Sequence, residues 1–272
     1  MLEVSHVSKT FNPGTVNENK VLDDVSLKLE DGDFVTVIGG NGAGKSTILN
    51  MIAGVYPVDE GTITMDGIDL TRMPEYKRAK YIGRVFQDPL KGTAADMEIG
   101  ENLAMANRRG KRRTLAWGIT AQEKEQFQEA LATLGLGLDK RMEDKVGLLS
   151  GGQRQAVTLL MASLQKPKLL LLDEHTAALD PKTAKKVLDL TQEIIKRDSL
   201  TSLMVTHNMR DAIAIGNRLI MMYEGKIIYD VRGEEKSKLT VDDLLNRFEE
   251  ASGEEFSDDK ALLTHINISN QK

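Results

Sequence analysis

The run Gly39-Gly40-Asn41-Gly42-Ala43-Gly44-Lys45-Ser46-Thr47 follows the apolar stretch Phe34-Val35-Thr36-Val37-Ile38 and precedes a helix-forming stretch, Ile48 to Ala53. That is GxxxxGK[ST] in the setting the pattern requires, a buried strand before it and a helix behind it. Glycines at 39, 42 and 44 allow a backbone path that turns successive N–H groups inward, and the helix adds the positive end of its dipole. Lys45 supplies a point charge for the β- and γ-phosphates, and the Ser46 hydroxyl is placed to ligate Mg²⁺. The plain alternative is a glycine-rich turn with an exposed lysine. With every position matched in context, that is the weaker reading, and the pattern implies a nucleoside-triphosphate site.

Bulk properties narrow the classes. The 272 residues are 40% hydrophobic, enough for one large or two small domains with a proper core. The absence of cysteine excludes a disulfide framework and a Cys-based zinc site, and fits a reducing cytosol. The start Met1-Leu2-Glu3-Val4-Ser5-His6 has neither a basic nor an apolar region, so no secretory signal is expected. No stretch approaches about 18 consecutive apolar residues, so no membrane span is expected. A net charge of −5 argues against a dedicated nucleic-acid binder. Work at a membrane would therefore pass through a partner.

Along the chain, Leu2 to about Leu29 reads as antiparallel strands around the turn-rich Asn12-Pro13-Gly14 and Asn17-Glu18-Asn19. Gly61 to Gly67 returns to strand and turn chemistry. From about Pro89 to Leu149 helix formers dominate, and Ala121 to Leu134 places Phe127, Ala130, Leu131 and Leu134 at helical spacing. An α/β alternation resumes after Ser150: a helix over Gln153–Gln165, a strand over Leu169–Leu172, a helix over Lys182–Arg197 and a strand over Leu203–Thr206. Glu224-Gly225 between two apolar runs signals a hairpin. The expected organisation is an ATPase-like core over 1–231 with a helical insertion over about 89–150, and a C-terminal helix and polar tail over 232–272. In that last part Thr240 and Asp243 resemble a capping box, and Val241, Leu244, Leu245 and Phe248 form one apolar stripe. A docking helix and a solvated tail are favoured there over a regulatory element.

Further residues point to the same chemistry. Leu169-Leu170-Leu171-Leu172-Asp173-Glu174 is a buried strand ending in two carboxylates, at the edge where α/β sheets bind ligands. Asp173 is placed to orient Mg²⁺ through water, and Glu174 to polarise the attacking water as general base. An acidic pair at a helix start is the competing reading, and it leaves the four leucines unexplained. His207 ends a third apolar strand. A lone histidine there is usually structural, but its company favours a γ-phosphate contact. Gln87 precedes the helical insertion and could reach Mg²⁺ or water. In Leu149-Ser150-Gly151-Gly152-Gln153, Ser150 and Gln153 fit a capping box, while the two glycines leave N–H groups uncovered as a second anion site. One chain has one phosphate loop, so a second nest invites a symmetric pair in which each Ser150 closes on the nucleotide held by the other copy's Lys45.

In order and spacing these motifs resemble the nucleotide-binding subunit of an ATP-binding-cassette (ABC) transporter, over roughly residues 2–231. Gly39 to Thr47 match Walker A, Gln87 the Q-loop, Leu149 to Gln153 the signature, and Leu169 to Asp173 Walker B with Glu174 as the catalytic base. Ala177-Ala178-Leu179-Asp180 match the D-loop, and His207 the switch histidine. The resemblance implies a P-loop NTPase core with a mostly parallel sheet, an N-terminal antiparallel β subdomain and an inserted α-helical subdomain. It also implies an Mg-ATP-hydrolysing head-to-tail homodimer at the cytoplasmic face of the membrane, acting on transmembrane permease subunits through a groove involving Gln87 to about Leu103.

Phe11 matches the aromatic that stacks on adenine, normally a tyrosine; such stacking is worth roughly 1–3 kcal/mol. Gly40 stands where the family often has Pro or Ser, and His175 where it usually has Pro. The segment Asp173 to Thr183 resembles a bacterial subgroup associated with uptake of tryptophan, tyrosine or related small solutes, which would add a solute-binding protein as partner. Export, lipoprotein release, or a soluble ATPase acting on nucleic acid are the alternatives. The last predicts paired cassettes or a basic face, and the sequence has neither. The basic run Arg108 to Arg113 reads as a solvated loop ahead of a contact with lipid headgroups.

Overall fold

A computed structural model describes residues 1–111 and 118–252. Arg112 and Arg113 of the basic run, and the tail from Gly253 on, lie outside the described residues. By internal contacts the chain forms two compact units, Met1–Met73 with the segment from Leu203 onward, and Pro74–Ser202.

In the first unit the strand Leu2–Phe11 pairs antiparallel with Asn19–Leu29 on one side and Glu60–Met65 on the other, and Ile68–Asp69 completes this sheet. Alternation explains the pairing: Leu2, Val4, Val25, Leu27 and Leu29 face inward, while Glu3 and Lys28 face water. A bulge interrupts the central strand after Ser5. There His6 takes a φ of 52° and Gly61 comes so close that a Cβ would lie 2.2 Å from the His6 carbonyl oxygen.

A second sheet runs in the order Lys226–Arg232, Arg218–Tyr223, Phe34–Gly39, Ser202–Val205 within this unit. Phe34–Gly39 is buried at every position and pairs parallel with Arg218–Tyr223, as expected for a strand covered on both faces. The hairpin stands where the sequence puts it. Glu224 and Gly225 both have positive φ, 44° and 75°, the turn that suits the strand twist. The helix Val241–Ser252 opens with the expected capping box: Thr240 N–H donates to Asp243 Oδ2 at 2.8 Å and Asp243 N–H to Thr240 Oγ1 at 3.2 Å. Leu244 and Phe248 are fully buried against Ile38, Met209, Met221 and Val231.

In the second unit Ile82–Val85 pairs parallel with Leu169–Asp173. The helices Ile99–Asn107, Ala121–Ala132 and Gly151–Ser163 pack around Leu103, Phe127, Leu131 and Leu160. The helix Pro181–Asp198 also packs on Gly151–Ser163. Part of the basic run is tethered: Arg108 pairs with Glu123 at 3.1 Å, and Arg109 donates to the Ala162 carbonyl at 3.0 Å.

Candidate active site

The phosphate loop is built by close approach. Gly44 has a φ of 95°, and a Cβ on it would lie 2.5 Å from Leu22 Cδ2 and 2.9 Å from the Val21 carbonyl oxygen. A side chain is therefore excluded both by conformation and by space. The helix starts at Lys45, three residues before the expected Ile48, because Lys-Ser-Thr carries no apolar periodicity to mark its first turn. Lys45 is 5% exposed, and its ammonium donates to the carbonyls of Gly39 and Gly40, each at 2.8 Å. The loop's own acceptors thus hold the cation over it. Asn41, Gly42 and Ser46 are exposed, and Ala43 and Gly44 are buried beneath them.

The other expected residues of the first unit stand at strand ends. His207 is half-buried between two polar locks. Thr206 Oγ1 accepts from Asn208 N–H at 3.1 Å, and Asn208 Oδ1 accepts from Arg210 N–H at 3.0 Å to cap the helix Met209–Ala214. Phe11 meets Tyr56 edge-on, with centroids 5.2 Å apart, and the Lys9 ammonium lies 5.6 Å from the Phe11 ring. The Phe11 ring thus has one aromatic and one cationic neighbour.

The second unit carries the remaining residues. Ser150 caps the Gly151–Ser163 helix as the sequence predicts: Gln153 N–H donates to its hydroxyl at 3.3 Å, and Ser150 N–H donates to Gln153 Oε1 at 3.2 Å. Ser150 and Gly151 are exposed, and so is the neighbouring Leu148, at 73%. Asp180 caps the Pro181–Asp198 helix through Thr183 N–H at 3.1 Å, and these hydrogen bonds to Thr183 lower its carboxyl pKa. Gln87 is exposed, just after Ile82–Val85. Asp173 lies 3.4 Å from an Arg84 guanidinium nitrogen, and that guanidinium stacks on Phe86 at 4.5 Å. Glu174 has a φ of 45°, left-handed for a residue with a Cβ. His175 is buried; desolvation lowers its pKa to about 4, so it is neutral at pH 7.

Sequence reasoning passed over Arg84, Tyr56 and Thr191. Arg84 had a signal, a cation inside an otherwise apolar strand. Tyr56 and Thr191 had none, because each matters only through a partner distant in sequence. Ser46 in the first unit, and Gln87 and Asp173 in the second, each carry a hard oxygen donor, the type Mg²⁺ takes in preference to a softer metal.

A family model described as ABC transporter matches residues 22–177. The chain belongs to the ABC transporter family. It is 44% identical over 251 residues to the tyrosine transport ATP-binding protein of Clostridioides difficile (strain R20291), covering 92% of this chain and all of that protein. It is 34% identical over 234 residues to the methionine import ATP-binding protein of Corynebacterium efficiens, covering 84% of this chain and 61% of that one. Among solved structures it resembles a dimeric ATP-binding cassette in a post-hydrolysis state bound to ADP and Pi. The TM-score there is 0.73 with 28% identity, over 85% of this chain and 98% of that one. This ABC protein is thus an ATP-binding subunit of a transporter and an ATPase, with a P-loop NTPase fold. Among its described residues no helix is long and apolar enough to cross a membrane.

Proposed function

We propose that this ABC subunit powers the uptake of a small, amino-acid-like solute through separate transmembrane permease subunits, served by a solute-binding protein, from the cytoplasmic face of the membrane. The likeness to the tyrosine transport protein over that protein's whole length carries this reading. The ATPase proper spans 1–231 with a helical insertion over about 89–150, and 232–272 is an appended helix and tail.

The roles follow from the residues. Backbone N–H groups of Gly39 to Thr47 and the Lys45 ammonium hold the triphosphate, and Phe11 stacks on adenine. Ser46, Asp173 and Gln87 would hold Mg²⁺, which would supply charge neutralisation at the phosphates. Glu174 takes the proton of the attacking water, and His207 contacts the γ-phosphate. Two copies pair head to tail, so that Ser150, Gly151, Gly152 and Gln153 of one close on the nucleotide of the other and Asp180 meets its mate. The capped Ser150 corner supports this pairing, since Ser150 and Gly151 are exposed beside the exposed Leu148.

Two measurements test the proposal. Glu174→Gln should bind ATP with near wild-type affinity, lose turnover by a factor on the order of 10²–10⁴, and accumulate as a closed dimer by light scattering. Undiminished hydrolysis would remove Glu174 as the base. In cells, deleting the gene should abolish uptake of labelled tyrosine or a competing aromatic amino acid. Unchanged uptake of every amino acid tried, with loss of an export phenotype instead, would overturn the direction.

A further inference from the structure

His175 directly follows Glu174 and is sealed in the second unit at 2% exposure. Its Nε2 lies 3.0 Å from Thr191 Oγ1, and that hydroxyl donates to the Val187 carbonyl at 2.7 Å. A hydroxyl has one proton to give, so toward the imidazole it accepts and His175 Nε2–H donates. The tautomer is fixed without ionisation. Thr191 is 1% exposed and sits mid-way along Pro181–Asp198, where its bond to the carbonyl four residues back holds its rotamer. The acceptor offered to His175 is therefore rigid.

Beside this bond stands an unfavourable backbone. Glu174 is left-handed, a conformation that persists when its surroundings over-determine it. On the chain's own side the turn is closed by Ala177 N–H donating to the Glu174 carbonyl at 3.0 Å. The next residue supplies a second fixed point, on a different element.

We propose that His175 is a positioning residue for Glu174, its hydrogen bond to Thr191 clamping the left-handed turn to the Pro181–Asp198 helix and so aiming the carboxylate at the attacking water. The inference rests on Glu174 being the general base. The clamp acts on direction and not on nucleotide binding, because neither His175 nor Thr191 touches solvent. It also ties the aim of Glu174 to a helix whose cap is Asp180, so the base and the D-loop move as one piece.

The test uses the full chain carrying His175→Leu, His175→Gln, Thr191→Val, Thr191→Ser and the Leu/Val double substitution. Readouts are kcat, KM for ATP, affinity for a fluorescent ATP analogue, and thermal unfolding. His175→Leu should lower kcat by roughly 10- to 100-fold, the scale of a misplaced reacting group, with KM and analogue affinity within about twofold of wild type. His175→Gln places an amide N–H near the position of Nε2–H and should restore most of the rate. Thr191→Val should reproduce the loss and Thr191→Ser should not. The double variant should lose no more than either single change. A folded His175→Leu protein with wild-type kcat, or a double variant whose losses multiply, overturns the clamp. Should the Leu variant fail to fold, the Thr191 pair decides alone: equal rates for Val and Ser overturn it. If Glu174→Gln hydrolyses ATP normally, the base assignment fails. If that variant is dead while His175→Leu is undisturbed, only the clamp does.

Discussion

Two carbonyls hold the Lys45 ammonium at the loop, at the place the proposed triphosphate would occupy. Hydrogen bonds to charged groups are worth about 1.5–3 kcal/mol each, so Lys45→Ala should weaken ATP binding roughly 10- to 100-fold. Calorimetric titration showing unchanged affinity would contradict the assignment. His175 gives a second prediction, in pH. Unfolded, its imidazole binds a proton near pH 6.5; folded, only near about 4. Between those values the unfolded state holds more protons, so stability is complete above 6.5 and falls as pH drops toward 4, by up to about 3 kcal/mol. Thermal scans should show the melting temperature of wild type falling faster across this window than that of His175→Gln, and parallel curves would refute the shift. The helix behind the glycine loop and the Ser150–Gln153 capping box were readable in the sequence because each motif is contiguous. Thr191 and Tyr56 were not, since a hydrogen bond or ring contact across 16 or 45 positions leaves no local mark.

Elements were readable in proportion to their period. The capped helix Val241–Ser252 and the hairpin at Glu224-Gly225 announced themselves through cap and turn chemistry. The strand Ile82–Val85 did not, since glycine and arginine break its apolar run. A structural reason stands behind that glycine: a Cβ on Gly83 would lie 2.5 Å from the Ala162 carbonyl oxygen, so strand and helix touch there. The short helix Met209–Ala214 is too brief to show periodicity, yet carbonyls at and just past its end are well served. Lys236 donates to Ile213, Ile215 and Gly216 at 2.7, 2.7 and 3.1 Å, and burial lowers its pKa to about 8. Phe248 closes the same region from the C-terminal helix. Phe248→Ala should cost about 3–5 kcal/mol, the range for deleting a fully buried aromatic ring. Urea unfolding with a shift below 1 kcal/mol would show that the helix is dispensable to this core.

The whole chain divides where composition gave no hint. Helix formers begin near Pro89, but the compact unit begins at Pro74, because burial around Ile82–Val85 and Leu169–Asp173 draws in strands that composition assigns elsewhere. Assembly belongs to this level too. In the Glu174→Gln background, Ser150→Arg should leave ATP binding by the single chain intact and abolish the ATP-dependent doubling of mass seen by light scattering. Normal doubling would end the shared-site proposal. Gly152 bears on the same assembly. A Cβ there would lie 2.1 Å from Thr183 Cγ2, so the first turns of the Gly151–Ser163 and Pro181–Asp198 helices abut with no slack. Two such surfaces behave like meshed gears: neither the serine corner nor the aspartate cap can be pushed inward without displacing the other.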